Sequence, residues 1–222
     1  RADIGLAIAR KTSVQPIPLQ TGDREPLDLS VSADGLRAAV LHEEEVVLFE
    51  TQNPDRPVRT SLPHNEDRVL GPWTPTGCWL LQPTDGGVIA THSDSAEERR
   101  WTGGHTDCRA PKLAVDGDWI AQGCAGEGIA LWHWSRPNEA QRYATGDAES
   151  TVIQVSTDGQ RIYADRFVET TAPHHRRFSI FDGGVPVWDG ERGTLNSLSP
   201  DGEWIVGSNT TGFSVTHIDS GR

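Results

Sequence analysis

The chain predicts an all-β fold of repeated four-stranded sheets, a β-propeller, and three observations predict it. Five tight turns share one frame, with glycines at Gly35, Gly77, Gly117, Gly159 and Gly202, so the steps are 42, 40, 42 and 43 residues. Short apolar runs flank each turn, and a third and usually a fourth run follow each pair. Four short strands per roughly forty residues is the period of a propeller blade.

The elements follow in chain order. "DIGLAIAR" (3–10) reads as a third strand and "SVQPIPL" (13–19) as an outer strand, together part of one blade. The first full unit begins near residue 27 with "LSVSADGLRAAV", then "EVVLFET" and the outer run "RPVRTSL". The second begins near 68 with "GPWTPTGCWLL", followed by "GVIATHS" and "EERRWT". The third begins near 108 with "KLAVDGDWIAQG", "GIALWHW" and "AQRYAT", and the fourth near 151 with "IQVSTDGQRIYAD", "RFSIFD" and "VPVW". The fifth, near 194, holds "NSLSPDGEWIVGS" and "GFSVTH". Asp-Gly or Thr-Gly supplies a residue that tolerates positive φ, and β-branched or aromatic flanks suit a pleated sheet. Residues 1–222 are expected to form one propeller of four complete blades framed by two partial ones.

The pattern resembles WD40 repeats. "TGGHTD" (102–107) carries Gly104 and His105 at the Gly-His position, and Trp132-His133 stands at the Trp-Asp position. Elsewhere Phe49-Glu50, Thr91-His92, Phe181-Asp182 and Thr216-His217 replace Trp-Asp. Gly22-Asp23, Pro63-His64, Gly146-Asp147 and Gly190-Glu191 replace Gly-His. The period covers nearly the whole chain, the motif one unit, and related propellers with an "SPDG"-type turn share the period. The resemblance implies a protein-interaction scaffold or sensor module, sometimes attached to a signalling NTPase, kinase or protease. It also implies a structural role for His105 inside its blade. WD40-type rings close with an N-terminal strand, so a chain that starts on a third strand is expected to be the C-terminal part of a larger, about seven-bladed ring. The upstream portion is then expected as a separate or nicked chain. A closed five-bladed ring completed by "SVQPIPL" is the competing arrangement.

Composition narrows the partners. The formal net charge of −12 disfavours nucleic acid and anionic membranes, which need a positive footprint, and favours a basic protein partner. No apolar run approaches the roughly 18 residues of a membrane-spanning helix. Cys78, Cys108 and Cys124 form no CxxC pair, so free thiols in a reducing, cytoplasmic compartment are expected. One disulfide with a spare thiol is the alternative.

Function in such a fold falls to the loops. Those after outer strands and those between second and third strands read as an acidic rim: Asp23, Glu25, Glu66, Asp67, Asp107, Asp147, Glu149 and Glu191 from the first class, Glu43, Glu44, Glu45, Asp85 and Glu127 from the second. These carboxylates either steer a basic partner or are ordinary solvated residues of an acidic protein. "DRFVETTAPHHRRF" (165–178) reads as an enlarged loop carrying His174, His175, Arg176 and Arg177. It is either a contact loop whose guanidinium pair grips a carboxylate or phosphate, or a tolerated insertion.

No GxSxG, HExxH or P-loop motif is present. Adjacent His174 and His175 would point opposite ways in an extended segment, so no metal or other cofactor is expected. This portion is expected to be non-enzymatic. The alternative is a propeller hydrolase or small-ligand-binding protein with a central-channel site. The inner-strand starts (Leu27, Asp28, Val69, Arg109, Val152, Leu195) are mostly apolar, which disfavours it. Trp79, Trp119 and Trp204 are expected in the core between blades. Trp101, Trp134 and Trp188, on or beside outer strands, are the better candidates for an exposed contact, with half-buried packing as the other reading.

Overall fold

The computed structural model describes residues 5–7, 16–18, 25–64, 67–106, 108–125, 128–143, 149–168, 175–183, 185–191, 196–209 and 212–219. Among them every regular element is a strand. β1 (Gly5–Ala7) pairs antiparallel with β2 (Pro16–Pro18). The first blade is β3 (Asp28–Val31), β4 (Arg37–Leu41), β5 (Glu45–Glu50) and β6 (Val58–Ser61), neighbours in that order. The second is β7 (Val69–Trp73), β8 (Cys78–Thr84), β9 (Gly87–His92) and β10 (Glu98–Thr102). The third comprises β11 (Arg109–Asp116), β12 (Trp119–Ala125), β13 (Gly128–His133) and β14 (Gln141–Tyr143). The fourth comprises β15 (Glu149–Val155), β16 (Arg161–Val168), β17 (His175–Asp182) and β18 (Val185–Glu191). One bridge pair, Ala125 with Glu149, joins these two blades into a single sheet. β19 (Asn196–Leu198), β20 (Trp204–Asn209) and β21 (Gly212–His217) make a three-stranded last sheet.

The chain divides into two compact units, Arg1–Leu81 with Thr91–Glu98, and Gln82–Ala90 with Arg99–Arg222. In the first unit β4 is apolar on both sides because both of its faces are covered. Ala39 and Leu41 pack with Val46, Leu70, Cys78 and Leu80, while Ala38 and Val40 pack with Val47 and Phe49. The second unit repeats the scheme. Ile162, Ala164 and Phe181 face Ala121, Ile129 and Leu131 of the third blade, and Tyr163 and Ile180 face Leu198, Ile205 and Ile218. A strand buried on both faces loses the polar alternation of a solvent-facing one, and each fully buried branched side chain contributes about 1.5–3 kcal/mol.

Polar links join successive inner strands. Asp28 accepts the Leu70 N–H at 2.7 Å, and Gln154 accepts the Leu198 N–H while donating to the Ser197 hydroxyl at 3.2 Å. The Asp28 carboxyl is used by the backbone, and its burial pushes its pKa above the ordinary value despite the Leu70 and Leu29 N–H groups.

Four expectations are corrected. Cys108 and Cys124 form a disulfide, leaving Cys78 as a buried free thiol. Antiparallel pairing of β11 with β12 brings their Cα atoms to 5.0 Å, a proximity that their sequence separation of 16 does not signal. The expectation of a reducing compartment loses two of its three thiols. The enlarged loop is mostly strand: β16 and β17 stay paired out to Val168 and His175. Trp101 is buried, its ring 4.6 Å from that of Trp134, because β10 turns it inward. Trp204 is 40% exposed, whereas Trp79 is buried.

Candidate functional site

The turn between inner and second strands is built the same way in three blades. Ser32 donates its hydroxyl to Asp34 at 2.6 Å and accepts the Arg37 N–H at 2.9 Å. Ser156 does the same with Asp158 and Arg161, and Ser199 with Asp201 and Trp204. The glycine closes the turn by donating its N–H to the serine carbonyl at 2.8 Å, with φ of +69°, +72° and +74° for Gly35, Gly159 and Gly202. An L-residue with a Cβ adopts that conformation only with strain. The Ser32 hydroxyl and Leu36 N–H hold the Asp34 carboxyl below its ordinary range, and Ser199 and the Glu203 N–H do so for Asp201. Partial burial opposes the effect at Asp158, but Ser156 and the Gln160 N–H outweigh it.

Two residues after each turn glycine stands a large side chain whose cross-strand partner is chemically matched. Arg37 is opposite Glu50 and Arg161 opposite Asp182, the latter with Nε 3.6 Å from the carboxylate. In the other three blades the pair is aromatic: Trp79 with His92, Trp119 with His133 and Trp204 with His217. Their ring centroids lie 5.1, 4.9 and 4.7 Å apart in edge-to-face arrangements. In three of the blades the same position reaches the next blade's turn. Arg37 donates to the Pro75 carbonyl and Arg161 to the Gly202 carbonyl, each at 2.8 Å, and the Trp119 ring lies against Gly159. The signal for these pairs was in the sequence, as an Arg or Trp at one fixed offset and an acid or His at another. It is read only when the two offsets are taken together.

At the opposite ends of the strands the acidic rim is partly engaged. Glu45 pairs with Arg59 at 3.0 Å and Glu43 with His64 at 3.2 Å. Asp85 lies exposed in the β8–β9 turn, and Asp67 lies half-buried just before β7. Asp107, Asp147 and His174 lie outside the described residues, as do Asp23, Glu66 and Glu127. Glu149, His175, Arg176 and Arg177 lie on strands. Arg176 and Arg177 are consecutive residues of β17, and consecutive strand positions alternate between its faces. The register instead sets Arg166 directly opposite Arg177, with Ser150 and Glu191 completing the row across β15 and β18. Sequence reasoning missed Arg166 because it counted neighbours along the chain, not across it.

Trp132 is fully buried, donates its indole N–H to the Thr102 carbonyl at 2.9 Å, and packs on Gly104, where a Cβ would meet its ring at 2.9 Å. His105 is half-buried beside it, its carbonyl accepting the Gly86 N–H at 3.1 Å. Gly77 and Gly117 stand in the turns of the second and third blades, where Thr74 replaces the capping serine for Gly77. Among the described residues no three His, Cys, Asp or Glu side chains are grouped to hold a metal ion.

No protein-family model matches the chain. No curated protein matches it either. Solved structures do. A chain of the crystal structure of the mitotic checkpoint complex is 14% identical with a TM-score of 0.58, over 87% of this chain and 63% of that one. Hydrazine synthase of Kuenenia stuttgartiensis is 19% identical with a TM-score of 0.56, over 88% of this chain and 56% of that one. The fold is a β-propeller. This chain spans 63% and 56% of the lengths of the chains it matches.

Proposed function

We propose that the chain is a non-enzymatic, WD40-like protein-interaction module, and that its fourth blade grips an anionic group on a protein partner. The observation that carries this reading is the Arg166–Arg177 register. Like charges directly opposite one another across antiparallel strands are destabilising by themselves. The register places Arg166 and Arg177 side by side with Glu191 opposite Arg177 on β18, and we read the two arginines as the place where an oxyanion on a partner binds, since guanidinium groups bind carboxylate and phosphate bidentately. The further blades expected of a larger ring belong to this reading, and the spans of 63% and 56% are compatible with them.

The test is recovery of partners by the purified chain, followed by crosslinking and mass spectrometry. An Arg166→Glu/Arg177→Glu double variant is expected to lose at least nine-tenths of the crosslinked partner. Arg176→Glu, on the other face of β17, is expected to retain most of it. Equal recovery by all three proteins contradicts the reading.

A further inference from the structure

The turns of the first two blades enclose a cleft of about 670 Å³ within the first unit, lined by Asp34, Leu36, Arg37, Glu50, Trp73 and Pro75 among others. That volume lies in the range of small-ligand and short-peptide sites. Its one cation is already committed. Arg37 donates to the Pro75 carbonyl at 2.8 Å and lies 5.2 Å over the Trp73 ring, whose indole N–H donates to Ser30 at 3.0 Å. Its acceptors are not. Among the described residues the Ser32 hydroxyl and the Leu36 N–H both donate to Asp34 Oδ1, and the exposed Glu50 carboxylate takes no hydrogen bond or ion pair. The wall between them is apolar: Leu36 is 45% exposed, and Trp73 and Pro75 flank it.

We propose that this cleft binds a short extended segment of a protein partner carrying a lysine or arginine between apolar residues. Two available carboxylates against one committed guanidinium select a cation over an anion. Leu36 and Trp73 take the aliphatic stem and the apolar neighbours, as amphipathic basic side chains favour. This site belongs to the first unit, the arginine pair to the second, and the two take ligands of opposite charge. It goes beyond the reading above and stands or falls separately.

Three probes decide it: acetyl-Leu-Lys-Leu-amide, its norleucine analogue and its glutamate analogue, titrated against nitrogen-15-labelled protein. The lysine peptide is expected to shift the Trp73 indole signal, assigned with Trp73→Phe, and the Leu36 amide. Its affinity is expected to fall at least fivefold in Asp34→Asn/Glu50→Gln. Asp201→Asn, which alters the same turn chemistry outside the cleft, controls for damage to the fold and is expected to leave affinity unchanged. Equal binding of the norleucine peptide, tighter binding of the glutamate peptide, shifts confined to other residues, or no binding at millimolar peptide would each overturn the proposal.

Discussion

Gly35 and Gly159 occupy the same place in their turns with nearly the same φ, yet their surroundings differ. A Cβ on Gly35 meets nothing within 4 Å, whereas one on Gly159 falls 2.2 Å from the Trp119 ring. Gly35→Ala is therefore expected to cost about 1–2 kcal/mol, the left-handed penalty alone. Gly159→Ala is expected to cost about 2 kcal/mol more, as overpacking a tight contact does. Urea denaturation of both variants checks the difference. The buried Ser156 bridges Asp158 and the Arg161 N–H, so Ser156→Ala is expected to cost about 1–3 kcal/mol by orphaning that donor. The turn aspartates also set a pH response. Asp34, Asp158 and Asp201 have folded pKa values below 3.8, so they bind protons less tightly folded than unfolded. Their stabilisation is complete above that value and is lost as pH falls through the lowered folded values. Asp28 has the opposite sign, because its raised pKa makes its cost largest at neutral pH and relieves it on acidification. Melting temperature is expected to fall as the pH is taken below the ordinary carboxylate range, and to fall less when Ser32, Ser156 and Ser199 are all alanine. A slope unchanged by those substitutions contradicts the assignment. Burial pushes the Cys78 thiol up to about 11, so it is expected to resist alkylation at pH 8 until the protein unfolds.

At the scale of elements, the disulfide and the cross-strand pairs make separable contributions. Cys108–Cys124 closes a loop of 16 residues within the third blade, for which chain-entropy arguments give about 3 kcal/mol. Reduction, or the Cys108→Ser/Cys124→Ser change, is expected to lower the melting temperature without altering the β-sheet circular dichroism at low temperature. The edge-to-face pair Trp119–His133 is expected to show a double-mutant coupling of about 0.5–1.5 kcal/mol. Arg161–Asp219, at 2.7 Å with an exposed carboxylate, is expected to give at most about 1 kcal/mol. The strands themselves were legible in the sequence because turn glycines and apolar runs are local signals. The register was not, since Arg166 and Arg177 become neighbours only once β16 and β17 pair. The disulfide escaped for the same reason. "VETTAPHH" carries Pro173 and paired polar residues that read as loop, and tertiary pairing overrode that reading for the residues on either side.

At the scale of the molecule, one arrangement recurs. A tight glycine turn is followed two residues later by an Arg or Trp with a matched partner opposite it on the third strand, and Arg37, Trp119 and Arg161 also reach the turn of the next blade. In the last sheet Val206 is 40% exposed, whereas its equivalents Ala39, Ala121 and Tyr163 in other blades are buried. Little of the candidate site could be read from composition. Net charge named a basic partner, but Glu43 and Glu45 are already paired, and the two proposed sites are a cross-strand arginine register and a turn-side cleft. The measurement that tests the repeat most directly is a nuclear Overhauser spectrum of the indole and imidazole protons. Cross-peaks joining Trp79 to His92, Trp119 to His133 and Trp204 to His217, with no helical i to i+4 contacts, are predicted. Absence of these peaks in the folded protein, or tryptophans paired with other histidines, contradicts the blade register on which both binding proposals rest.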